Sequence, residues 1–207
     1  MPDYLKRPAA EPGMRIGLFG GSFNPAHDGH RLVALQCLRR LALDRVWILV
    51  SPGNPLKDHA ELAPLADRVA ATEQLMDHPQ IDVTAFEAAQ GFQYTFETLD
   101  YLVAAEPGVS FVWIMGADSL LSFDRWERWE EIARTMPLAV YARPGATFRA
   151  TRSPAAVALA EFRLPEDKAA ILADSRPPAW VYLRGIMSGQ SSTAIRRAKA
   201  RSAASSA

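Results

Sequence analysis

Cysteine is all but missing. Cys37 stands alone among 207 residues, which excludes an intramolecular disulfide framework and leaves it as filler beside Leu35, Leu38 and Leu41 on a helical stretch. An excess of either charge is missing too. Twenty-three basic residues balance 23 acidic ones, so no global field draws the chain to nucleic acid or to an anionic membrane, and any anion must be held by a local site. No apolar run approaches the length of a membrane-spanning helix. The opening stretch MPDYLKRPAAEPG lacks the apolar centre of a secretory signal, and a cytoplasmic protein is expected. No internal repeat is visible. What the chain does have is 49% hydrophobic content, enough for one substantial core and a single domain.

The apolar residues alternate between short runs rich in Val and Ile and longer segments with helical spacing, which is the pattern of a parallel sheet wrapped by helices. Strands are expected at 16–19, 46–50, 81–86, 111–115, 138–141 and 180–183, and helices at 31–43, 65–76, 96–105, 126–135 and 193–200. The fold class is therefore α/β. Residues 143–178 are rich in Ala and Pro with two weak helical stretches and stay unassigned. A flexible extension is expected over 1–13, the domain over 14–200, and a disordered tail over 201–207. In open sheets of this kind ligands sit beyond the carboxyl ends of the strands, so the loops that follow them should hold the chemistry.

The first strand runs straight into Gly20, Gly21, Ser22, Phe23, Asn24, Pro25, Ala26, His27, Asp28, Gly29 and His30, after which a helix begins. Glycines let a phosphate approach the backbone closely, and the open amides of a helix start favour an anion. Neither a Walker loop nor the dinucleotide fingerprint fits the spacing. Two histidines are offered instead, and an imidazole can donate to phosphoryl oxygens as a neutral N–H or as a cation. If the helix starts by His27, the two share one face. A His-x-x-His pair can also be half of a metal site, but Cys37, His59 and His78 lie in unrelated contexts and no third ligand has local spacing, so no protein-bound metal is expected. A pair of surface histidines capping a helix is the bland alternative.

The segment GGSFNPAHDGH closely resembles the signature of the nucleotidyltransferase superfamily of Rossmann-like fold, a glycine-rich turn followed by His-x-Gly-His or Thr-x-Gly-His. The second superfamily signature, Ile-Ser-Ser-Thr-x-Ile-Arg, resembles Gln190, Ser191, Ser192, Thr193, Ala194, Ile195 and Arg196, with Gln190 replacing the usual aliphatic residue. In its own right Ser191–Arg196 reads as a helix start, with hydroxyls that can cap or bind phosphate and an arginine one turn inside. Tyr94-Thr95-Phe96-Glu97-Thr98-Leu99 and Gly116-Ala117-Asp118-Ser119-Leu120 followed by Trp126 and Trp129 are similar to segments of one family within it, the nicotinate mononucleotide adenylyltransferases. The likeness runs from Met14 to Arg197. Asn54-Pro55-Leu56-Lys57 departs from the family's Pro-Pro-His-Lys, retaining the lysine and losing a polar side chain.

The resemblance implies an open parallel sheet with helices on both faces. It also implies direct attack of the mononucleotide phosphate on the α-phosphorus of ATP, giving deamido-NAD and pyrophosphate without a covalent intermediate. Such chemistry asks mainly for positioning and charge stabilisation. By the same likeness His27, His30 and Arg196 act on the ATP phosphates, and Gly20, Gly21, Ser22, Phe23, Ser191, Ser192 and Thr193 surround them. Gly116 and Asp118 lie on the adenosine side, although Asp118 could equally cap the next helix. Lys57, Tyr94, Thr95, Trp126 and Arg143 serve the mononucleotide: Lys57 and Arg143 its phosphate, Tyr94 and Thr95 the pyridine carboxylate, Trp126 the ring by stacking. Trp126 and Trp129 could instead be core residues three apart on one helix, and Trp129 is read as packing. Arg68 is a weaker candidate, since a lone helical arginine usually lies on a solvated face. Magnesium is expected to arrive with the ATP phosphates, few or none of its ligands coming from the protein. ATP and nicotinate mononucleotide are the expected partners, nucleic acid and membranes are not, and homo-oligomerisation stays open. Phosphopantetheine or cytidylyl transfer, nicotinamide mononucleotide as acceptor, and a non-catalytic nucleotide sensor are the competing readings.

Overall fold

The six expected strands and a seventh, short one form a single parallel sheet in the computed structural model, which describes residues 1–53, 62–142, 147–186, 189–196 and 201. In chain order they are β1 (Arg15–Gly21), β2 (Arg45–Val50), β3 (Ile81–Thr84), β4 (Ser110–Gly116), β5 (Leu138–Tyr141), β6 (Arg163–Leu164) and β7 (Trp180–Leu183). Their order across the sheet is β3-β2-β1-β4-β5-β7-β6. The chain winds outward from β1 in one direction, then returns to β4 on its other flank and winds the opposite way. That reversal makes a switch point between β1 and β4, where the outgoing loops diverge and a crevice opens.

Both faces of the sheet are covered, which is why its strands read as continuous apolar runs. In β2, Trp47 and Leu49 point to one face and Val46, Ile48 and Val50 to the other, all at most 1% exposed. The first face packs against α4 (Thr95–Ala105) and α6 (Trp129–Thr135) through Leu99, Leu102, Ile132 and Ala133. The second packs against α1 (Asp28–Arg40) and α2 (Leu65–Met76) through Val33, Ala34, Cys37, Leu38, Val69 and Met76. Cys37 is the expected filler, fully buried, and burial pushes its thiol up to about 12.

Several boundaries differ from the expected ones for identifiable reasons. α1 begins three residues early because His27 takes the cap position in extended conformation, and it ends before Leu41 and Ala42, the latter at φ +50°. β3 stops at Thr84 because the chain turns there into α3 (Phe86–Gln90), with the Phe86 amide donating to Thr84 Oγ1 at 3.1 Å. The helix expected from Trp126 begins at Trp129. Phe123–Arg125 forms a separate 3₁₀ turn after α5 (Ala117–Leu120), and Arg128 at φ +53° interrupts the run. Trp126 and Trp129 therefore do not share a helix. The unassigned stretch holds α7 (Thr147–Ala150), α8 (Pro154–Ala158), β6 and a 3₁₀ segment at Glu166–Asp174. Of the last expected helix, residues 192–196 are helical and 197–200 lie outside the described residues; of the tail, only residue 201 is described, and it is helical.

The extension at 1–13 runs back along the domain rather than projecting from it. The Tyr4 carbonyl accepts from the Ala85 amide at 2.6 Å and from Thr84 Oγ1 at 3.1 Å, Arg7 pairs with Glu106 at 2.6 Å, and the Gly13 amide donates to the Gly108 carbonyl at 2.7 Å. Among the described residues no helix is long and apolar enough to cross a membrane.

Candidate active site

Two cavities open along the carboxyl edge of the sheet. The first, about 350 Å³, is bounded by Ser51, Pro52 and Gly53 after β2, by Glu87 and Phe92 to Thr95 around α3 and the start of α4, and by Arg125, Trp126 and Glu127. The second, about 310 Å³, is bounded by Phe19 to Asn24, His27 and His30, by Gly116 and Asp118 after β4, and by Ser191, Ser192, Thr193 and Arg196. Gly20, Gly21, Ser22, Trp113, Ser119 and Trp126 line both. The cavities thus adjoin at the end of β1, each of a size suited to a small ligand.

The turn after β1 can be this close because Gly20 has no side chain. A Cβ there would stand 2.5 Å from Trp113 Cη2, so the indole is seated against the strand backbone and forms the wall between the cavities. Trp126 meets Trp113 edge-on, with ring centroids 6.4 Å apart, and Phe123 at 5.4 Å. Half-buried in both cavity walls, it offers a ring face as well as packing. Trp129 stacks edge-on against Phe123 at 5.8 Å and is packing.

His27 is 4% exposed and His30 half-buried, with ring centroids 3.8 Å apart. The His27 amide donates to His30 Nδ1 at 3.2 Å. A ring nitrogen that accepts carries no proton, so the neutral His30 imidazole keeps its proton on Nε2. The Phe23 ring holds His30 from the side at 4.9 Å.

The second signature is brought to the first from the far end of the chain. Ser192 Oγ donates to the Pro25 carbonyl at 2.9 Å and Arg196 to the Asn24 carbonyl at 2.6 Å. Ser191 Oγ accepts from the Ala194 amide at 3.2 Å, the capping role, and Thr193 is exposed toward the cavity. Gln190, the departure from the superfamily pattern, makes a two-point clasp on the first residue of α1: its Oε1 accepts from the Asp28 amide at 3.1 Å and its Nε2 donates to Asp28 Oδ2 at 3.2 Å. Upstream, Arg40 donates to the Arg184 carbonyl at 2.5 Å and to Glu166 Oε1 at 2.7 Å, while the Tyr141 hydroxyl donates to the Ile186 carbonyl at 3.0 Å. The segment leaving β7 is therefore anchored at both ends.

In the first cavity the Tyr94 amide is already committed. Glu97 Oε2 accepts from the Gln93 and Tyr94 amides, each at 2.8 Å, which leaves Thr95 and Phe96 to supply the open first-turn amides of α4. Tyr94 itself is 39% exposed and stacks on Phe96 at 5.9 Å, and the Arg128 guanidinium lies 4.3 Å above the Phe96 ring. Lys57 and Arg143 lie outside the described residues.

Some wall residues were not expected from the sequence. Trp113 lay hidden in an apolar strand, where only the glycine opposite it hinted at a close approach. Glu87 is 8% exposed, accepts from Thr98 Oγ1 at 2.6 Å, and burial pushes its carboxyl up, partly opposed by that bond. Arg68 is a correction: it is 3% exposed and not on a solvated face, because backbone carbonyls of the surrounding loops receive its guanidinium.

Comparison with known proteins places the chain in a family. A family profile described as "Cytidylyltransferase-like" matches residues 18–198. A protein of Mesorhizobium japonicum named "Probable nicotinate-nucleotide adenylyltransferase" is 55% identical over 190 residues, 92% of this chain and 97% of that one. One of Methylorubrum extorquens with the same name is 56% identical over 183 residues, 88% of this chain and 99% of that one. Among solved structures, nicotinic acid mononucleotide adenylyltransferase of Plasmodium falciparum complexed with NaAD superposes with a TM-score of 0.66 at 14% identity, over 89% of this chain and 83% of that one. At that identity the likeness concerns the fold.

Proposed function

The chain belongs to the cytidylyltransferase-like family of nucleotidyltransferases, and from that premise we propose that it transfers the adenylyl group of ATP to nicotinate mononucleotide, forming deamido-NAD and pyrophosphate. Relatives more than half identical over nearly their whole length carry that name. The observation that carries the reading is the pair of adjoining cavities: one lined by imidazoles, an arginine and hydroxyls, the other by an indole face and helix-start amides, with the glycine turn between them.

ATP occupies the second cavity. Its phosphates lie over the amides of Gly20, Gly21, Ser22 and Phe23 and the start of α1, its adenosine toward Gly116 and Asp118. His30 Nε2 donates to the oxygens of the α-phosphate as negative charge builds there, and His27 supports it from the cap position. Arg196, with Ser191, Ser192 and Thr193, holds the departing pyrophosphate. The mononucleotide occupies the first cavity, its ring on Trp126 and its carboxylate at the Thr95 end of α4, with Tyr94 at the mouth; Lys57 and Arg143 are assigned to its phosphate. That phosphate attacks the α-phosphorus in line, the P–O bond to the β-phosphate breaks with pyrophosphate leaving, and no residue need become adenylylated. Held in this way, the two reactants need only meet, and positioning supplies much of the rate.

The donor set suits phosphate more than a bare cation. Asp118 is the carboxylate of the second cavity, and no group of three metal-binding side chains occurs among the described residues. Such a lining fits magnesium that arrives on the ATP oxygens and neutralises their charge.

The test mixes purified protein, ATP and magnesium with nicotinate mononucleotide, nicotinamide mononucleotide or phosphopantetheine, and follows pyrophosphate. Release with nicotinate mononucleotide, reduced on the order of a hundredfold or more in His30→Ala, is expected. Release with another acceptor would move the substrate, and ATP binding without release in any tube would favour a nucleotide sensor.

A further inference from the structure

Arg68 is placed in the interior of the fold yet takes no part in the transfer described above. At 3% exposure its guanidinium meets no carboxylate among the described residues. Its partners are backbone carbonyls from separate segments. Nε donates to Ala63 at 2.9 Å, one terminal nitrogen to Ser22 at 2.7 Å and Ser51 at 2.8 Å, and the other to Pro52 at 3.4 Å. Ser22 belongs to the turn after β1 and lines both cavities; Ser51 and Pro52 belong to the loop after β2 and line the first. Ala63, at the approach to α2, is tied back to the first turn through its amide, which donates to Asn24 Oδ1 at 3.3 Å.

A planar fork with five N–H donors can serve carbonyls arriving from several directions at once, whereas an ammonium presents three donors from one point. Desolvation holds the guanidinium pKa below its ordinary range, the sign that this burial is costly. An apolar side chain in its place leaves those carbonyls without this donor, a stability cost that the loss of any such buried donor carries. What it uniquely supplies is a fixed relation between the two loops.

We propose that Arg68 is a positioning residue for the mononucleotide: its fork sets the loop after β2 against the turn after β1 and so fixes the frame of the first cavity. This deepens the proposed function and rests on it. Three of its four acceptors frame the first cavity and only Ser22 borders the second, so the two substrates should feel its loss unequally.

The experiment measures kcat, the KM of each substrate and the melting temperature for Arg68→Met and Arg68→Lys. In Arg68→Met the KM for the mononucleotide should rise on the order of tenfold or more, with the KM for ATP changing by less than about threefold. Arg68→Lys, which keeps the charge but not the fork, should recover only part of that loss. Equal rises in both KM values, or unchanged KM values with a lower melting temperature, would overturn the proposal. So would loss of the folded state in both variants, because Arg68 would then be a residue of general stability. The unmodified protein is the control for the functional reading. If it uses a different mononucleotide, that reading fails, and the same KM split measured with that acceptor still decides Arg68; silence with every acceptor overturns both.

Discussion

Adding one methyl group at Gly20 should disturb both substrates at once. A Cβ built there lies 2.5 Å from Cη2 and 3.0 Å from Cζ2 of Trp113, whereas carbon atoms rest about 3.5–4.0 Å apart. The indole must therefore retreat by about 1 Å. It can retreat only toward the cavities it walls, since Trp113 is 3% exposed, sits on a strand paired directly with β1, and is met edge-on by Trp126. Overpacking of a rigid ring costs about 1–3 kcal/mol, which for a chain of this length lowers the melting temperature by about 2–12 °C. Gly17→Ala is the internal comparison. Its Cβ meets Ile114 Cδ1 at 2.6 Å and Leu43 Cδ1 at 2.7 Å, both the far ends of flexible side chains that can rotate aside. It should cost less, and because none of Gly17, Leu43 and Ile114 lines the first cavity, it should leave the KM for the mononucleotide close to that of the unmodified protein. Gly20→Ala should raise the KM of both substrates several-fold, because Trp113 is their common wall. Differential scanning fluorimetry with steady-state pyrophosphate release reads both effects. A Gly20→Ala protein that melts within about 1 °C of the unmodified one, with both KM values unchanged, would refute the reasoning.

Glu87 makes a prediction about pH. Burial holds its carboxyl above the ordinary value of 4.5, so its contribution to stability is complete below that pH and is lost as pH rises through the elevated folded value. Glu87→Gln keeps an acceptor for Thr98 and removes the titration; its melting temperature should gain on the unmodified protein as pH rises from the ordinary carboxyl range, and a pH-independent difference would count against this. Gln190 makes a prediction about coupling. Gln190→Ile removes both bonds of the clasp, whereas Asp28→Ala removes only the one to its carboxylate and keeps the backbone amide; at about 1 kcal/mol for an exposed site, Gln190→Ile should raise the KM for ATP by up to about fivefold, Asp28→Ala by less, and the double variant should be no worse than Gln190→Ile alone. Strict additivity would show that the two side chains act separately.

The parts of the fold legible in the sequence were those decided locally. β5, β7 and α2 begin and end where their apolar runs do, because strands covered on both faces and a helix following a proline carry their own punctuation. Arg128 was not legible, because its positive φ belongs to a residue held over Phe96, a contact between segments far apart in the chain. Arg68 was misread for the same reason: nothing in its own helix says that carbonyls of two other loops will surround it. The short elements between β5 and β7 draw on tertiary packing more than on propensity. Of the site, the histidines and the Ser-Ser-Thr segment were visible as residue types at fixed spacing. Trp113 and Glu87 were not, since an indole in a strand and a glutamate in a short helix are ordinary until the wall they form is known.

The division of labour between the cavities follows from the order of the strands. β1 pairs with β2 on one flank and β4 on the other, and the register that sets Phe19 beside Ile114 brings the end of β1 level with the end of β4. Loops after β2 and β3 fold away from this point in one direction and, closed by Arg125, Trp126 and Glu127 from beyond β4, give the first cavity; the residues directly after β4 and the segment after β7 give the second. A ligand with a phosphate at one end and a ring at the other can enter either cavity ring first, and both phosphates then come to the one place that belongs to neither wing, the Gly20–Ser22 backbone. In the proposed reaction two such ligands would meet end to end, which is the arrangement an in-line transfer between phosphates requires. This is also why the turn carries glycine: any side chain at Gly20 would occupy the junction or drive Trp113 into it, closing the passage that lets two separate binding sites act as one.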